Sequence, residues 1–233
     1  MLQRALNKLP ITSITRFTFQ DYPEHTACIL WFSGCNMACA YCHNPELVRG
    51  ELVKLPPEQI IAFLESRRGL LEGVVLSGGE CTLCPALPEF AGYLKSLGYK
   101  IKIDTNGTNP ELLEQLIENR LIDFVALDYK APSDLFCSIT HYDGYDRFKQ
   151  SLQLLCASGI GLEVRTTIHA DLLDEDDINA ILTHLEAVGF KGRYYLQNFR
   201  PCNTLGNIGV PFSIFTPDLL KKTAIQIEFR GFC

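Results

Sequence analysis

Residues 33–47 read SGCNMACAYCHNPEL, and this stretch holds Cys35, Cys39 and Cys42 in the spacing C-x3-C-x2-C. Thiolates are soft ligands that suit zinc and iron–sulfur clusters. Three cysteines so close together can wrap a compact metal centre, and they leave one iron of a four-iron cluster without a local protein ligand. An open position is what a catalytic metal needs. The spacing alone leaves a structural zinc site as the alternative, completed by Cys28 or His43.

The cysteine stretch follows the first of several apolar, β-branched runs that alternate with segments of helical periodicity. We predict six strands, at residues 26–32, 73–77, 100–104, 123–128, 162–168 and 193–198. Between them, Asn109 is a candidate helix N-cap and Gly159 a candidate helix end. Strands that alternate with helices indicate a parallel α/β sheet whose strand ends meet at one edge. We therefore expect a partial, TIM-like (β/α)6 barrel, with a flat doubly wound sheet as the alternative.

We expect a single domain over residues 1–233, with a lead-in at 1–25, the strand and helix repeats at 26–200 and a C-terminal extension at 201–233. Lysine and arginine number 21 and aspartate and glutamate 27, a formal charge of −6 that argues against a nucleic-acid partner. The N-terminal stretch lacks the continuous apolar core of a secretory signal, and no run approaches the roughly 20 apolar residues of a membrane span. We expect a cytoplasmic protein with no membrane partner.

Ten cysteines without a signal peptide favour metal binding or redox chemistry over a disulfide framework. The spacing C-x3-C-x-aromatic-C, with Tyr41 as the aromatic residue, resembles the signature of the radical S-adenosylmethionine (SAM) enzymes. The resemblance implies a partial (β/α)6 barrel and a [4Fe–4S] cluster held by the three cysteines of the motif. It also implies that the unique iron binds the amino and carboxylate groups of SAM, with Tyr41 and His43 in the surrounding cofactor site.

Two glycines and a glutamate, Gly78, Gly79 and Glu80, resemble the GGE motif by which this family contacts the methionine amino group. Glycine has no Cβ, so the backbone can approach a ligand closely. The sequence departs from the family after this motif, because Cys81 stands where proline is usual. With Cys84 it forms a C-x2-C pair, which we interpret as a tolerated loop substitution, with a redox pair or extra metal ligands as the alternative. No role is assigned to Cys202 and Cys233.

The strings DTNG at 104–107 and DYK at 128–130 resemble the glycyl-radical-enzyme activases. This resemblance implies that Lys130 and the aspartates contact the methionine moiety of SAM. It also implies that a monovalent cation, Na⁺ or K⁺, binds beside that moiety. The residues assigned to this cation are Asp104, Thr105 and Asp128. Those assigned to SAM are Asp104, Asn106, Asp128, Lys130, Arg165 and Asn198. Arg165, inside a strand, faces either solvent or the site, and Gln197 or Arg200 is the alternative to Asn198 at the nucleoside.

The resemblance covers nearly the whole chain. It is strongest to the activase branch whose target is anaerobic ribonucleoside-triphosphate reductase, on the strings DYP at 21–23, CHNPEL at 42–47, DTNG at 104–107 and DYKAP at 128–132. Only about 35 residues, without cysteine, separate Cys42 from the GGE motif, so activases with a ferredoxin-like insertion there are excluded. The implied reaction cleaves SAM to a 5′-deoxyadenosyl radical that abstracts hydrogen from a glycine of the partner enzyme, with the cysteines and Lys130 as the residues that carry it. Flavodoxin or ferredoxin is the expected electron donor.

Three alternatives remain open at this point. A pyruvate formate-lyase-type activase shares the same motifs. A short radical SAM enzyme for a small molecule, similar to the 7-carboxy-7-deazaguanine synthases, has a comparable length. A non-catalytic zinc or thiol redox protein would use the same cysteines without SAM.

Overall fold

The computed structural model describes residues 6–232, so Cys233 lies outside the described residues. The chain folds as two compact units. One comprises the chain up to Asn36 together with Glu46–Thr105 and Asn109–Val125. The other comprises Met37–Pro45, Asn106–Thr108 and the chain from Ala126 onward. Among the described residues, no helix combines the length and the apolar character that crossing a membrane requires.

The first unit contains a sheet whose strands follow one another in chain order. Its strands are β1 (Ile11–Thr18), β2 (Ala27–Phe32), β3 (Gly73–Gly78) and β4 (Lys100–Thr105). β1 is antiparallel to β2, whereas β2, β3 and β4 are parallel. Parallel strands are covered on both faces, and the nearly continuous burial of β2 and β3 fits this arrangement.

Four helices lie between residues 45 and 118 of the described chain. They are α1 (Pro45–Arg49), α2 (Pro57–Arg67), α3 (Leu87–Ser96) and α4 (Pro110–Glu118), with a 3₁₀ turn at Cys81–Leu83. Helix α4 starts as the sequence indicates, because the side chain of Asn109 accepts a hydrogen bond from the backbone N–H of Leu112. Helix α3 buries Phe90 and Leu94 on the face that its periodicity predicts.

The second unit continues the alternation of strands and helices. Strand β5 (Phe124–Asp128) ends in it, and β6 (Gly161–Ile168), β7 (Arg193–Asn198) and β8 (Gln226–Arg230) follow. β6, β7 and β8 are parallel neighbours. The helices are α5 (Ser133–Thr140), α6 (Tyr145–Ser158) and α7 (Glu175–Ala187), with a 3₁₀ turn at Pro217–Leu219. Gly159 ends α6 in the left-handed conformation that glycine adopts without strain.

The α/β class with parallel strands is confirmed, and each of the six predicted strands is present with ends that differ by at most one residue. The described residues form two strands, β1 and β8, besides the six of the predicted repeats. β1 lies in the predicted lead-in and β8 in the predicted C-terminal extension. Both pair with a single neighbour in their unit, so their sequences lack the continuous apolar run of a covered parallel strand. The single-domain assignment stays a prediction.

Candidate functional site

Gly78, the last residue of β3, and Gly79 after it pack against the backbone at the end of β2 and just beyond it. The N–H of Gly79 donates to the Phe32 carbonyl, and the N–H of Glu80 donates to the Gly34 carbonyl, both at 2.8 Å. A Cβ at Gly78 would overlap the Phe32 backbone, and one at Gly79 would overlap Gly34. Gly78 also has a φ of +126°, a conformation that L side chains rarely adopt. Close packing of the chain on itself therefore requires both glycines, independently of any ligand.

The Glu80 side chain is buried and closes the loop that follows β3. Its Oε1 accepts hydrogen bonds from the Thr82 N–H at 3.0 Å, from the Thr82 hydroxyl at 2.6 Å and from the Thr105 hydroxyl at 2.8 Å. These bonds cap the 3₁₀ turn and tie it to the end of β4. The Glu80 carboxylate therefore serves the local fold.

Asp104, near the end of β4, is held by two neighbours within its unit. The Ser77 hydroxyl donates to Oδ2 at 2.9 Å, and the Lys102 ammonium lies 2.9 Å from Oδ1. Lys102 is almost fully buried and lies 6.0 Å from the centre of the Phe124 ring. Lys102 belongs to no recognised motif, and its signal in the sequence is a cation at an alternating position of an otherwise apolar strand.

The Cys81 and Cys84 thiols are buried beside this loop. Cys81 Sγ lies 3.6 Å from the Asp104 carbonyl oxygen, and Cys84 Sγ lies 3.9 Å from the Lys8 carbonyl oxygen. Burial raises the pKa of both thiols, and for Cys81 the Glu80 and Asp104 carboxylates raise it further. Protonated, buried thiols are poor nucleophiles and poor metal ligands, which favours the interpretation of this pair as a loop substitution.

The cysteine motif divides between the units, with Cys35 in the first and the turn that holds Cys39 and Cys42 in the second. Cys35 and Cys42 are partly exposed and Cys39 is buried. The Cys42 N–H donates to the Cys39 carbonyl at 3.0 Å, which closes the turn. Burial raises the pKa of the Cys39 thiol, while the positive charge of Lys130 lowers it.

Tyr41 and His43 flank Cys42 and differ in their surroundings. The Tyr41 hydroxyl is buried and makes no hydrogen bond of ordinary geometry with the described residues. His43 stacks on Phe199, with ring centres 5.5 Å apart, and its Nε2 lies 3.0 Å from the Arg200 carbonyl oxygen. His43 therefore anchors the cysteine turn on Phe199 and Arg200, and the buried Tyr41 hydroxyl lies beside the Cys39 thiol.

Asp128 brings together two cations that the sequence assigns to one site. Lys130 Nζ lies 3.0 Å from Asp128 Oδ2, and Arg165 Nε and Nη2 each lie 2.9 Å from Oδ1. Arg165 Nη1 also lies 3.8 Å from the buried Glu163 carboxylate. Burial opposes the charge of Lys130, but the Asp128 carboxylate together with Tyr41 and Cys39 more than offsets it, so the pKa of the ammonium lies well above its usual range. Arg165 thus faces the Asp128 carboxylate.

The backbone between Asp128 and Lys130 is fixed by strand β6. The Tyr129 N–H donates to the Arg165 carbonyl, and the Thr166 hydroxyl donates to the Tyr129 carbonyl, both at 2.8 Å. Thr166 in turn accepts from the Tyr194 hydroxyl at 2.8 Å. The Tyr129 hydroxyl lies 2.6 Å from His184 Nδ1. Sequence analysis missed these supporting residues.

Asn106 and Asn198 serve the local fold in the structure. Asn106 Oδ1 accepts from the N–H and the hydroxyl of Thr108 at 3.1 and 2.7 Å, which forms a tight turn. Asn198 Nδ2 donates to the Gly231 carbonyl at 3.1 Å. Contact of either side chain with SAM stays a prediction. The predicted cation site also stays one, and its Asp104, Thr105 and Asp128 oxygens already have protein partners.

The three thiols are the donor set of an open-sided iron–sulfur centre, so their chemistry fits the predicted cluster. Within residues 6–232, no three His, Cys, Asp or Glu side chains are gathered closely enough to hold a metal ion. Cysteine ligands lose their protons as a cluster assembles, so metal binding is coupled to protonation. Lys130 fits a carboxylate ligand, because its only hydrogen bond to the described residues uses one of three N–H donors.

Comparisons with known proteins agree with these features. A model of the radical SAM superfamily matches residues 29–188. A protein of Methanocaldococcus jannaschii, assigned as a glycyl-radical enzyme activating enzyme, is 34% identical over 200 residues, which are 83% of this chain and 81% of that protein. The pyruvate formate-lyase-activating enzyme of Clostridium pasteurianum is 29% identical over 162 residues, 64% of each chain. A 7-carboxy-7-deazaguanine synthase of Methanopyrus kandleri is 33% identical over 123 residues, 44% of this chain and 48% of the synthase.

Solved structures show the same fold at low sequence identity. The structure of anSMEcpe with bound AdoMet has a TM-score of 0.58 at 18% identity and covers 72% of this chain. Streptococcus suis SuiB bound to precursor peptide SuiA has a TM-score of 0.61 at 16% identity and covers 74% of it. This chain spans 49% and 38% of those two chains, respectively.

Proposed function

This chain belongs to the radical SAM superfamily, and on that premise we propose that it is a glycyl-radical-enzyme activase whose target is an anaerobic ribonucleoside-triphosphate reductase. Membership implies a [4Fe–4S] cluster and SAM as cofactors. The observation that carries the activase assignment is the 34% identity, over 83% of the chain, to a protein assigned as a glycyl-radical enzyme activating enzyme.

The choice of reductase rests on motifs of this sequence. CHNPEL after the cysteine spacing, DTNG at 104–107 and DYKAP at 128–132 occur in the order that resembles that branch. The stretch between Cys42 and Gly78 is short, contains helices α1 and α2, and has no cysteine for a second cluster. A pyruvate formate-lyase-type activase shares these motifs and the short stretch without cysteine. The identity of the target enzyme is therefore decided by experiment.

The residues of the chain would divide the work as follows. Cys35, Cys39 and Cys42 hold the cluster as thiolates. When bound, the cluster supplies the electron that cleaves SAM to methionine and a 5′-deoxyadenosyl radical, which removes a hydrogen atom from the partner's glycine Cα. Lys130 offers two remaining N–H donors to the carboxylate of SAM, and a charge-assisted hydrogen bond of this kind is strong in a buried site.

Asp128 and Arg165 would fix the direction in which Lys130 points. The Asp128 carboxylate binds Lys130 through one oxygen and Arg165 through the other, so its rotation is restrained. The monovalent cation is proposed as a further ligand of Asp104, Thr105 and Asp128, and it would have to displace or share the partners that these oxygens already have.

The reaction requires two protein partners. A low-potential carrier, flavodoxin or ferredoxin, would supply the electron. The glycyl-radical enzyme would supply the glycine, and the radical would remain on that partner, outside this chain.

The deciding experiment mixes the anaerobically reconstituted protein with SAM, a reductant and one partner at a time. We expect a glycyl doublet in the EPR spectrum with anaerobic ribonucleoside-triphosphate reductase, together with one 5′-deoxyadenosine per radical. A doublet only with pyruvate formate-lyase would move the target and leave the reaction class intact. No doublet with either partner, despite SAM cleavage, would contradict the activase assignment.

The second candidate is a small-molecule radical SAM enzyme. It is favoured by the 33% identity to the 7-carboxy-7-deazaguanine synthase, although this match covers 44% of the chain. Incubation with the substrate of that enzyme class, followed by mass spectrometry, distinguishes it. Product formation without any glycyl radical would replace the activase proposal.

A further inference from the structure

The cysteine turn is bonded through its backbone to a segment near the C-terminus that no motif identifies. The N–H of Leu205 donates to the Cys42 carbonyl at 2.9 Å, and the N–H of Gly206 donates to the Ala40 carbonyl at 2.9 Å. Residues 199–209, here called the clamp segment, therefore hold the two carbonyls that lie on either side of Tyr41. Both partners belong to the second unit.

The first residues of the clamp segment make a third contact with the cysteine turn. The Phe199 ring lies between His43, 5.5 Å away and stacked, and His169, 4.8 Å away and edge-on. His43 Nε2 lies 3.0 Å from the Arg200 carbonyl oxygen, while His169 Nε2 lies 3.1 Å from that of Gly209. Both ends of the clamp segment are thus fixed by imidazole rings, and one of these rings follows Cys42 directly.

The middle of the clamp segment is a closed turn. The Asn207 N–H donates to the Thr204 carbonyl at 3.1 Å, and the Ile208 N–H donates to the Thr204 hydroxyl at 3.1 Å. Thr204 is buried, with 2% of its surface exposed. A turn closed from within presents the two N–H groups of Leu205 and Gly206 in a fixed direction.

Gly206 packs on Ala40 with no room for a side chain. A Cβ at residue 206 would lie 2.6 Å from Ala40 Cβ, 2.9 Å from its Cα and 3.1 Å from its carbonyl oxygen. Gly206 has no positive φ, so its backbone suits any residue. The three heavy atoms nearest to such a Cβ all belong to Ala40. Gly209 offers the matched case, because a Cβ there meets no heavy atom of the described chain within 4 Å.

We propose that the clamp segment is the support that holds the cysteine turn ready for cluster assembly, with Gly206 as its positioning residue. The inference rests on the proposed function in so far as Cys39 and Cys42 are cluster ligands. The backbone of the turn is held from outside while the thiol side chains stay able to turn towards iron. Loss of the clamp lets the turn shift, so the thiols meet iron in the wrong geometry.

The first test compares Gly206→Ala with Gly209→Ala after anaerobic reconstitution. Iron and sulfide bound per chain are measured, together with far-UV circular dichroism of the apoprotein. We expect Gly206→Ala to bind less than half the iron of the wild type and Gly209→Ala to match the wild type. Equal iron in the wild type and Gly206→Ala would overturn the inference. A wild type that binds no iron would instead overturn the proposed function.

The second test measures the accessibility of Cys39 in the turn when no cluster is bound. Alkylation of the apoprotein by iodoacetamide is followed at the peptide that contains Cys39, which is buried in the wild type. We expect faster modification of Cys39 in Gly206→Ala than in Gly209→Ala, and unchanged rates for both would contradict the proposal. If Gly206→Ala fails to fold, Thr204→Val takes its place, because it removes the hydroxyl that accepts from the Ile208 N–H and closes the clamp segment. We then expect a folded Thr204→Val to bind less iron than the wild type, and wild-type iron binding in that variant would count against the clamp.

Discussion

Lys130 and Arg165 bind opposite oxygens of one carboxylate. Lys130 Nζ lies 3.0 Å from Asp128 Oδ2, and Arg165 Nε lies 2.9 Å from Oδ1. Arg165 comes from the middle of β6, whereas Asp128 ends β5, so the ion pair also joins two strands. The arrangement restrains the carboxylate at both oxygens and leaves Lys130 with donors for a further anion.

We predict that Arg165→Lys weakens SAM binding. Lysine cannot place two N–H donors on Oδ1, so Asp128 loses part of its restraint and Lys130 loses its fixed direction. Loss of one charge-assisted hydrogen bond, ~1.5 kcal/mol, corresponds to about a tenfold higher KM for SAM. The measurement is SAM cleavage to 5′-deoxyadenosine at varied SAM, with kcat reported separately.

Arg193→Lys is the matched control for this prediction. Arg193 lies on the neighbouring strand β7 with 57% of its side chain exposed, and its pair with Glu228 is at the surface. Exposed pairs contribute little, so its KM should stay at the wild-type value. The assignment of Arg165 to positioning fails if both variants behave alike.

Gly78→Ala should destabilise the protein much more than Gly98→Ala. Both glycines have positive φ, at +126° and +91°, but only a Cβ at Gly78 would overlap backbone, that of Phe32. We expect a loss of about 2–4 kcal/mol in the free energy of unfolding at Gly78 and about 1–2 kcal/mol at Gly98. Urea unfolding of the two apoproteins measures the difference. Equal midpoints would show that close packing against β2 does not constrain this motif.

A variant with both Cys81→Ala and Cys84→Ala should keep the cluster. Both thiols are buried, and burial raises their pKa, so they are protonated at neutral pH. The lost apolar volume costs about 1 kcal/mol per site. Iron content and SAM cleavage are measured beside Cys39→Ala, which should lose both. Loss of iron in the double variant would restore the interpretation of this pair as metal ligands or redox groups.

We predict that the protonation of buried His184 makes the folded protein less stable in mild acid. Burial lowers the pKa of His184 from 6.5, and its neutral Nδ1 lies 2.6 Å from the Tyr129 hydroxyl. The unfolded chain binds the proton at a higher pH than the folded one does. Neutral His184 therefore contributes its full stabilisation of the fold above pH 6.5. This stabilisation is lost as the pH falls towards the lower pKa of the folded state. Melting temperatures measured across this range should fall more steeply in the wild type than in His184→Gln.

The exposed His141, which ends α5 in the left-handed conformation, provides the control for the acid effect. Asparagine tolerates that conformation, so His141→Asn should retain the steep wild-type dependence. A shallow dependence in the wild type itself would show that His184 does not link protonation to folding.

The sequence predicts the strands that are covered on both faces and misses those at the edges. Residues 193–198 were expected as a strand and form β7 with the same bounds. Such strands carry long apolar runs because helices cover them. β1 reads ITSITRFT and β8 reads QIEFR, and neither has such a run. Their pairing depends on the partner strand, which a local pattern does not contain.

At the candidate site, the sequence indicates residues with motifs but not the residues that support them. Asp128 and Lys130 are recognisable because DYK at 128–130 resembles a motif of the glycyl-radical-enzyme activases. Thr166 and Tyr194 are ordinary strand residues 28 positions apart, and only the tertiary structure brings their hydroxyls to 2.8 Å. The requirement for glycine at residue 78 also follows from the tertiary structure, because the backbone that excludes a Cβ belongs to β2.

The hydroxyl of Thr166 should matter more than any other atom behind the Asp128–Lys130 segment. It donates to the Tyr129 carbonyl and accepts from the Tyr194 hydroxyl, each at 2.8 Å, and Thr166 is 1% exposed. Thr166→Val keeps the shape but leaves both groups buried without a partner, so we expect a loss of about 2–4 kcal/mol in the free energy of unfolding. Thr166→Ser keeps the hydroxyl and should recover most of the SAM affinity, whereas Thr166→Val should raise the KM for SAM. Tyr194→Phe breaks one of the two bonds and should fall between them. If Thr166→Val and Thr166→Ser have the same KM and the same unfolding midpoint, the hydroxyl does not position Lys130.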